Sequence, residues 1–237
     1  MILLHGWNAE LGYRTLFPYM ARRFNKAGIN AVLIELPYHS QRKPRERDAI
    51  RNFLSGDLLH VVSAMHQAIA DTRALVAWLK TQSKMPVGMW GISLGAWVTG
   101  MLACAEPALD LAVLMTPVVR MDRVIMELDF CRPLRRHFHG ASPRLEPLNL
   151  DSHQPLLEPD NILVVASEHD LFAPIATIEE LCRVWQGPVL WRPRHGHISL
   201  TMSCLAPGRH TGKIIDWISS RLDPAGRNLL TGAKIPL

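Results

Sequence analysis

The sequence predicts an α/β protein built on a mostly parallel, doubly wound sheet. Short aliphatic runs alternate along the chain with longer segments in which apolar residues recur at three- and four-residue steps. The aliphatic runs are continuously apolar, which indicates strands that are covered on both faces. With 237 residues, 48% of them hydrophobic, the chain can bury a sizeable core. We therefore expect one domain that spans residues 1–237.

Turn residues set the limits of each element in this pattern. Every aliphatic run is bounded by them, and the helical segments lie between the runs. The predicted strands are residues 1–4, 30–35, 87–90, 111–115, 161–166 and 189–191, and the predicted helices are residues 15–26, 58–81, 94–105, 174–185 and 211–221.

Two connections are longer than a compact α/β domain needs. Residues 36–57 are polar and basic, and residues 116–160 are rich in Pro, Arg and His without a clear strand. Long connections of this kind are usually functional or disordered. Because the second one lies between two core strands, we expect residues 116–160 to form a lid insertion over an active site.

The charge of the chain does not identify a partner. There are 26 Lys and Arg residues against 21 Asp and Glu residues, which gives a formal net charge of +5. The basic residues form several short clusters without the pattern of an RNA-binding motif, a zinc finger or a helix-turn-helix. We interpret them as a solvated basic surface and expect no nucleic-acid partner.

The four cysteines indicate reduced thiols. Cys104, Cys131, Cys182 and Cys204 lie far apart, without a Cys-x-x-Cys pair or the spacing of a zinc site. No apolar run approaches the ~18 residues of a membrane-spanning helix, and no secretory signal opens the sequence. The sequence thus predicts a cytoplasmic protein without an integral membrane segment.

The most informative motif is a Gly-x-Ser-x-Gly sequence at residues 91–95. A chain of this composition contains such a motif by chance roughly 0.05 times. Here it directly follows a predicted strand and directly precedes a predicted helix, which is the context of a nucleophilic serine on a sharp strand-to-helix turn. We identify Ser93 as the candidate nucleophile; the alternative is a serine that caps the helix in an ordinary turn.

A nucleophilic serine needs a base, and the base needs an orienting acid. Asp170 comes shortly after the fifth predicted strand and His197 shortly after the sixth, so the order along the chain is nucleophile, acid, histidine. Glu168 is the alternative acid and His195 the alternative base. We favour Asp170, which leads into a helix, and His197, which follows a glycine.

An oxyanion formed during acyl transfer needs two N–H donors. The backbone N–H of Leu94, directly after the nucleophile, is the first candidate. The second is the backbone N–H of Trp7 in the loop after the first predicted strand, with Asn8 as the alternative. We expect His5 in the same loop to be a buried structural residue and not a second base.

Together these motifs resemble the α/β-hydrolase superfamily over essentially the whole chain. The resemblance is carried by His5-Gly6-Trp7, by the motif at residues 91–95, by Asp170 before Leu-Phe-Ala-Pro, and by Gly196-His197. It implies a Ser-Asp-His triad, no metal or organic cofactor, and most often the hydrolysis of an ester, thioester or related acyl bond. It does not fix the substrate.

A narrower resemblance rests on fewer residues. Leu-Pro-Tyr-His at residues 36–39, with Arg42 and Pro44 and a following helix that carries Asp71 and Arg73, looks like the bacterial branch related to abhydrolase-domain-18 proteins.

The predicted sheet departs from the superfamily at its start. Met1 already stands inside what is the third strand of the superfamily, so the usual first two strands are lacking and strand 30–35 becomes a sheet edge. Exposed apolar edges invite pairing. We expect either that a second copy covers this edge in a homodimer, or that the natural protein begins upstream.

The predicted lid combines two kinds of side chain. Its first half carries apolar residues that can form a wall for an acyl group, and its basic residues can form a cationic rim or an ordinary solvated face. The apolar residues are Val118, Val119, Val124, Ile125, Met126, Leu128 and Phe130, and the basic residues are Arg120, Arg123, Arg132, Arg135, Arg136, His137, His139 and Arg144.

The function that the sequence predicts is a serine-dependent, carboxylesterase-like acyl hydrolase. It acts through an acyl-enzyme on a small-molecule ester or thioester. The alternative is a catalytically silent binding or scaffold protein with the same fold.

Overall fold

The computed structural model of the protein describes residues 1–7, 10–44, 53–54, 57–138, 143–205 and 210–222. Six short strands within these residues form one sheet. They agree with the predicted strands to within about two residues at each end. The strands are β1 (Ile2–Leu4), β2 (Val32–Ile34), β3 (Gly88–Ile92), β4 (Leu111–Met115), β5 (Ile162–Val165) and β6 (Val189–Trp191).

The five predicted helices are present, and four shorter helices accompany them within the described residues. The predicted ones are α2 (Leu16–Lys26), α3 (Leu58–Gln82), α4 (Leu94–Ala105), α7 (Ile175–Val184) and α9 (His210–Leu222). The shorter ones are α1 (Glu10–Arg14), α5 (Met121–Glu127), α6 (Arg132–Arg135) and α8 (His197–Ser203). Single 3-10 turns lie at Ser40–Arg42, Asp129–Cys131, Arg136–Phe138, Glu146–Leu148, Leu150–Ser152 and Pro159–Asn161. In the part of the chain that the structure describes, none of these helices is long and apolar enough to cross a membrane.

The sheet has the strand order β2-β1-β3-β4-β5-β6, and every neighbouring pair is parallel. This confirms the predicted parallel sheet. In the register of the sheet, Leu4 at the end of β1 lies beside Gly91 near the end of β3. Since parallel strands point the same way, the loops that follow β1, β3, β5 and β6 meet at one edge of the sheet. In open α/β sheets, ligands bind at this carboxyl edge.

Helices cover both faces of the sheet, as the continuously apolar strands predict. One face packs against α2 and α9, whose buried residues include Phe17 and Ile214. The other face packs against α3, α4 and α7, with Val61, Trp97 and Ile178 in its core. The sheet is therefore doubly wound.

The connection between β4 and β5 is held against α4. The indole nitrogen Nε1 of Trp97 donates a hydrogen bond to the carbonyl of Leu148 at 2.7 Å, and the backbone N–H of Leu156 donates to the carbonyl of Ala103 at 2.8 Å. Trp97 is fully buried. These bonds hold the connection to the helix that begins beside Ser93.

The strand β2 lies at one end of the described sheet, and its three side chains are only half-buried. An edge strand offers unpaired backbone groups to another chain. We expect a second copy to pair with this edge, so light scattering after size exclusion should give twice the mass of the chain. Val32→Lys should shift the protein toward the monomer, because a charged side chain on an edge opposes strand pairing.

Trp78→Ala, a change on the exposed face of α3, is the matched surface control and should leave the mass unchanged. A wild-type protein that stays monomeric at high concentration would contradict the homodimer.

Candidate active site

Ser93 stands on the turn between β3 and α4 in a strained backbone conformation, with φ 56° and ψ −113°. A residue with a Cβ pays about 1–3 kcal/mol for such dihedrals, so the surroundings must hold it there. Its backbone N–H donates to the carbonyl of Met115 in β4 at 2.9 Å, and its carbonyl accepts from the N–H of Trp97 at 3.0 Å. The side chain of Ser93 is thereby presented at the carboxyl edge of the sheet.

Two glycines make this turn sterically possible. A Cβ on Gly91 would lie 2.0 Å from the carbonyl oxygen of Gly95, and a Cβ on Gly95 would lie 2.4 Å from the carbonyl oxygen of Leu4. No side chain of any size fits at these distances. The close approach of α4 to β3 and β1 therefore requires glycine at both positions.

Ser93, His197 and Asp170 form a continuous line of hydrogen bonds. The hydroxyl oxygen Oγ of Ser93 is 2.9 Å from Nε2 of His197, and Nδ1 of His197 is 2.7 Å from Oδ2 of Asp170. His197 is the first residue of α8, after β6, and Asp170 follows β5. When Nδ1 carries a proton for the carboxylate, Nε2 is left to accept the serine proton.

The carboxylate of Asp170 is fully buried and has a donor at each oxygen. Its Oδ1 accepts hydrogen bonds from the backbone N–H groups of Phe172 at 2.9 Å and Ala173 at 2.8 Å, while Oδ2 faces His197. A buried carboxylate without such partners would be strongly destabilising. These bonds fix the carboxylate in the orientation that holds the imidazole.

The alternative acid and base lie elsewhere. Glu168 forms an ion pair with Arg194 at 3.3 Å, and a third of its side chain is exposed. The ring of His195 packs edge-on against the ring of His210, with 5.2 Å between the ring centres. The structure thus brings Asp170 and His197 to Ser93, as the sequence analysis favoured.

The two candidate oxyanion donors border the same cavity as Ser93. Leu94 is the first residue of α4, and the first N–H groups of a helix have no acceptor within it. The loop that holds Trp7 is close as well, since a Cβ built on Gly6 would lie 3.2 Å from Cβ of Ser93. Asn8, the alternative donor, lies outside the described residues.

His5 links the end of β1 to the end of β2, and its ring does not contact His197. Its Nε2 accepts a hydrogen bond from the backbone N–H of Leu36 at 3.0 Å, and its Nδ1 is 2.8 Å from the carbonyl of Gly6. Burial lowers the pKa of His5 from 6.5 to about 4. The neutral ring therefore donates from Nδ1 and accepts at Nε2, which braces the loop before Trp7.

A cavity of about 320 Å³ opens beside Ser93. Four of the predicted wall residues line it, namely Val118, Val124, Leu128 and Phe130. Four other lining residues were not predicted: Leu54, Met121, Phe172 and Ile198. Phe172 stands two positions after Asp170 and Ile198 directly after His197, so proximity in sequence to the predicted triad was the available signal.

The other predicted wall residues do not line the cavity. Val119 and Ile125 are buried in the core, while Met126 is 44% exposed. On α5, Met121 and Val124 face the cavity whereas Ile125 is buried in the core and Met126 faces solvent; Val119 precedes this helix. For these three residues the predicted acyl wall is wrong.

Two arginines of this connection, Arg120 and Arg135, support its own structure. Nη1 of Arg135 donates to the carbonyls of Ile125 and Leu128 at 2.9 and 2.8 Å. Arg120 forms ion pairs with Asp122 at 2.6 Å and Asp151 at 3.7 Å. None of the described residues that line the Ser93 cavity is Arg or Lys. Arg120 and Arg123 line a neighbouring pocket that shares Val118, Val124, Leu128 and Phe172 with the Ser93 cavity. Among the described residues, the predicted basic side chains therefore adjoin this cavity and do not line it; His139 lies outside them.

Within the described ranges, no group of three or more His, Cys, Asp or Glu side chains is placed to hold a metal ion. The prediction that the protein needs no cofactor stays a prediction.

Comparisons with known proteins identify the fold. The family model for alpha/beta hydrolase domain containing 18 matches residues 10–119, somewhat less than half of the chain. This stretch includes Ser93, and it also includes Arg42 and Asp71, which form an ion pair at 2.7 Å. The uncharacterized protein Rv2627c of Mycobacterium tuberculosis H37Rv is 26% identical over 215 residues, 86% of this chain and 50% of the relative. The chain thus spans about half the length of the curated relatives it matches.

Superposition on solved structures identifies the same fold over nearly all of the chain. The esterase Pf2001 of Pyrococcus furiosus superposes with a TM-score of 0.65 at 17% identity, covering 93% of this chain and 81% of that one. The enol-lactonase of Burkholderia xenovorans LB400 superposes with a TM-score of 0.57 at 15% identity, covering 92% and 90%. The chain has the α/β-hydrolase fold, and the resemblance that the sequence indicated is confirmed at this level.

Replacing the first glycine of the turn should destabilise the protein severely. Gly91→Ala puts a methyl group against the backbone of Gly95, so we expect a loss of about 3 kcal/mol or more, measured as a lower midpoint of urea unfolding. Gly212→Ala is the control, because the nearest atom there is the flexible end of Arg23 at 3.3 Å. Equal stability of the two variants would show that α4 does not approach β3 as closely as described.

His5 should make stability depend on pH. Its pKa is about 4 in the folded protein and 6.5 when exposed, so below pH 6.5 the unfolded chain binds a proton that the folded protein does not. Stability should therefore fall as the pH drops from 6.5 toward 4, by about 3 kcal/mol from this residue alone.

Unfolding by urea at a series of pH values measures this effect. His5→Gln cannot take up the proton and can still accept from the N–H of Leu36, so its curve should be flatter than that of the wild type. Parallel curves would contradict a neutral, buried His5.

Proposed function

We propose that the chain is a serine acyl hydrolase that cleaves carboxylic esters or thioesters of small molecules. The observation that carries the proposal is the line from Ser93 Oγ through the imidazole of His197 to the buried carboxylate of Asp170, at 2.9 and 2.7 Å. A serine, a histidine and an acid in this geometry convert a weak hydroxyl nucleophile into a strong one. The strained backbone of Ser93 supports it further, because strain of this kind concentrates at functional sites.

In the first half of the reaction, Nε2 of His197 removes the proton of Ser93 Oγ as the oxygen attacks the acyl carbon. The tetrahedral intermediate carries its negative charge on the former carbonyl oxygen. The N–H groups of Leu94 and Trp7 donate to this oxygen. When the intermediate collapses, His197 gives its proton to the departing alcohol or thiol, and the acyl group stays bonded to Ser93.

In the second half, water takes the place of the alcohol. His197 removes a proton from the water as its oxygen attacks the acyl-enzyme, and then returns the proton to Ser93 as the carboxylic acid leaves. Asp170 holds the imidazole in the required tautomer and stabilises the imidazolium that forms twice in the cycle. Apart from the substrate and this water molecule, each step uses side chains and backbone N–H groups of this chain.

The fold supports the same conclusion at a coarser level. The superposed Pf2001 protein is an esterase and the Burkholderia protein an enol-lactonase, two hydrolases of acyl–oxygen bonds. We further propose a small-molecule substrate and a cytoplasmic location. A catalytically silent binding protein of the same fold is the competing outcome, and the following experiment separates the two.

Ser93→Ala should lower the hydrolysis of p-nitrophenyl esters by about 10³-fold or more, because no nucleophile remains to form the acyl-enzyme. His197→Ala should give a similar loss. A fluorophosphonate probe should label the wild type and leave Ser93→Ala unlabelled, with the labelled residue identified by mass spectrometry.

His195→Ala is the matched control and should keep most of the activity, since its ring packs against His210. A folded wild type that neither reacts with the probe nor hydrolyses any ester would establish the silent binding protein instead. Loss of activity in His195→Ala alone would move the base to that residue.

A further inference from the structure

We infer that the Ser93 cavity is an acyl pocket for a neutral, apolar acyl group of medium length, and that Met121 sets its length limit. This rests on the proposed function, because it assigns the acyl half of the substrate to one part of the same site. Three features support this assignment: the chemistry of the lining, the gradient of burial along it and the side on which the leaving group departs.

The lining has no charged partner for an anionic acyl group. Apart from Ser93 and His197, the described side chains that border the cavity are aliphatic, aromatic or Met. A carboxylate inside it would lose its hydration without gaining an ion pair, which is strongly unfavourable. The nearby Arg120 and Arg135 are engaged by carboxylates and by backbone carbonyls of the connection itself, and Arg123 lines a neighbouring pocket and not this one.

Burial along the lining distinguishes a mouth from an inner end. Ile198 is 64% exposed and Phe172 45% exposed, so these residues lie where the cavity opens to solvent. Met121 and Val124 are almost fully buried and belong to the core beneath the cavity. A chain that enters from the mouth therefore ends against Met121 and Val124.

The direction of the reaction places the acyl group in the inner part. His197 protonates the leaving oxygen, so the alcohol must depart on the side of its imidazole. That side is the mouth, because Ile198 follows His197 directly and the ring of Phe172 packs edge-on against the imidazole at 5.4 Å. The acyl chain, which stays on Ser93, then extends toward the inner end.

The side wall of the pocket is an aromatic row that joins three loops. The ring of Trp7 stacks on Phe130 with 4.7 Å between centres and an angle of 27°, and Phe130 lies 6.4 Å from Phe172. Phe130 is held in place by its neighbours, since Cys131 is fully buried and the carbonyl of Leu128 accepts from Arg135. A wall anchored in this way gives the pocket a defined volume.

The volume sets the size of the acyl group. If each heavy atom takes roughly the 30 Å³ that a water molecule occupies in the liquid, a cavity of about 320 Å³ holds about ten heavy atoms. Because the leaving group occupies part of the mouth, this number is an upper limit for the acyl group. Acyl groups up to about the octanoyl size therefore fit, and longer ones meet Met121.

The test measures kcat/KM of the intact protein for p-nitrophenyl esters from acetate to dodecanoate. Activity should rise with chain length to a maximum and then fall. Met121→Ala should raise the preference for dodecanoate over hexanoate by about 10-fold or more, since added room in an apolar pocket accommodates further methylenes, and Met121→Phe should shift the maximum to shorter esters.

Met126→Ala is the matched control, with the same residue type on the same helix but exposed to solvent, and should leave the profile unchanged.

A second arm of the experiment keeps the acyl group as acetyl and lengthens the alcohol, and Met121→Ala should not change the activity across that series. A third arm compares p-nitrophenyl hexanoate with the half-ester of adipic acid, whose far end is a carboxylate; the half-ester should react about 100-fold less well or worse.

Each contrary result overturns the inference without touching the proposed function. An unchanged acyl profile in both Met121 variants would remove the length limit from this residue, and an effect confined to the alcohol series would assign the cavity to the leaving group. Equal turnover of the adipate half-ester would remove the neutral class. Failure of the proposed function looks different, because the wild type would then hydrolyse no ester and resist the fluorophosphonate probe. Labelling by that probe also verifies that each variant is folded at the site.

Discussion

The close packing of α4 on β1 and β3 is the constraint on which the site depends. It is possible only because residues 91 and 95 lack a Cβ, so that backbone atoms of helix and strands come within the distance that a methyl group would fill. With α4 in this position, Ser93 has to adopt positive φ, and its hydroxyl stands clear of the sheet. Leu94, the first residue of the helix, borders the same cavity as the hydroxyl. A single steric condition thus places both the nucleophile and one candidate oxyanion donor.

The rest of the site is assembled at the same edge by parallel strands. β5 and β6 each end beside their neighbour, so the loops that follow them bring Asp170 and His197 within hydrogen-bonding distance although 27 positions separate them in sequence. The carboxylate is anchored by two backbone N–H groups of its own loop, and the imidazole is anchored by the start of α8. The triad geometry therefore depends on local loop hydrogen bonds as much as on the sheet.

Much of this could be predicted from the sequence because it depends on short-range rules. Runs of aliphatic residues mark the strands, and the glycine spacing around Ser93 reports a steric requirement that few turns share. Ser93, Asp170 and His197 could be assigned because they come in this order along the chain, after the third, fifth and sixth strands. The helices α5 and α8 escaped a firm prediction, because seven residues hardly establish a helical period.

The residues that shape the cavity were harder to predict for a physical reason. Whether Met121 or Met126 faces the cavity depends on how α5 is rotated about its axis, and that rotation is fixed by packing against residues distant in sequence. Arg135 likewise contacts backbone carbonyls ten and seven positions earlier in the chain, which its charge alone gives no means to foresee. The composition of the connection indicated a cationic rim. In the structure, the hydrogen bonds of Arg135 instead stabilise the backbone of the connection.

The attachment of the β4–β5 connection to α4 bears on how the cavity can open. The indole of Trp97 and the carbonyl of Ala103 bind residues 148 and 156 to the helix that begins beside the nucleophile, and the N–H of Leu150 donates to the carbonyl of Val119 next to the cavity wall. An outward movement of this part of the connection would therefore break a buried hydrogen bond. The exposed side chains of Phe172 and Ile198 at the mouth can change rotamer at a much lower cost, and such changes in exposed residues are fast.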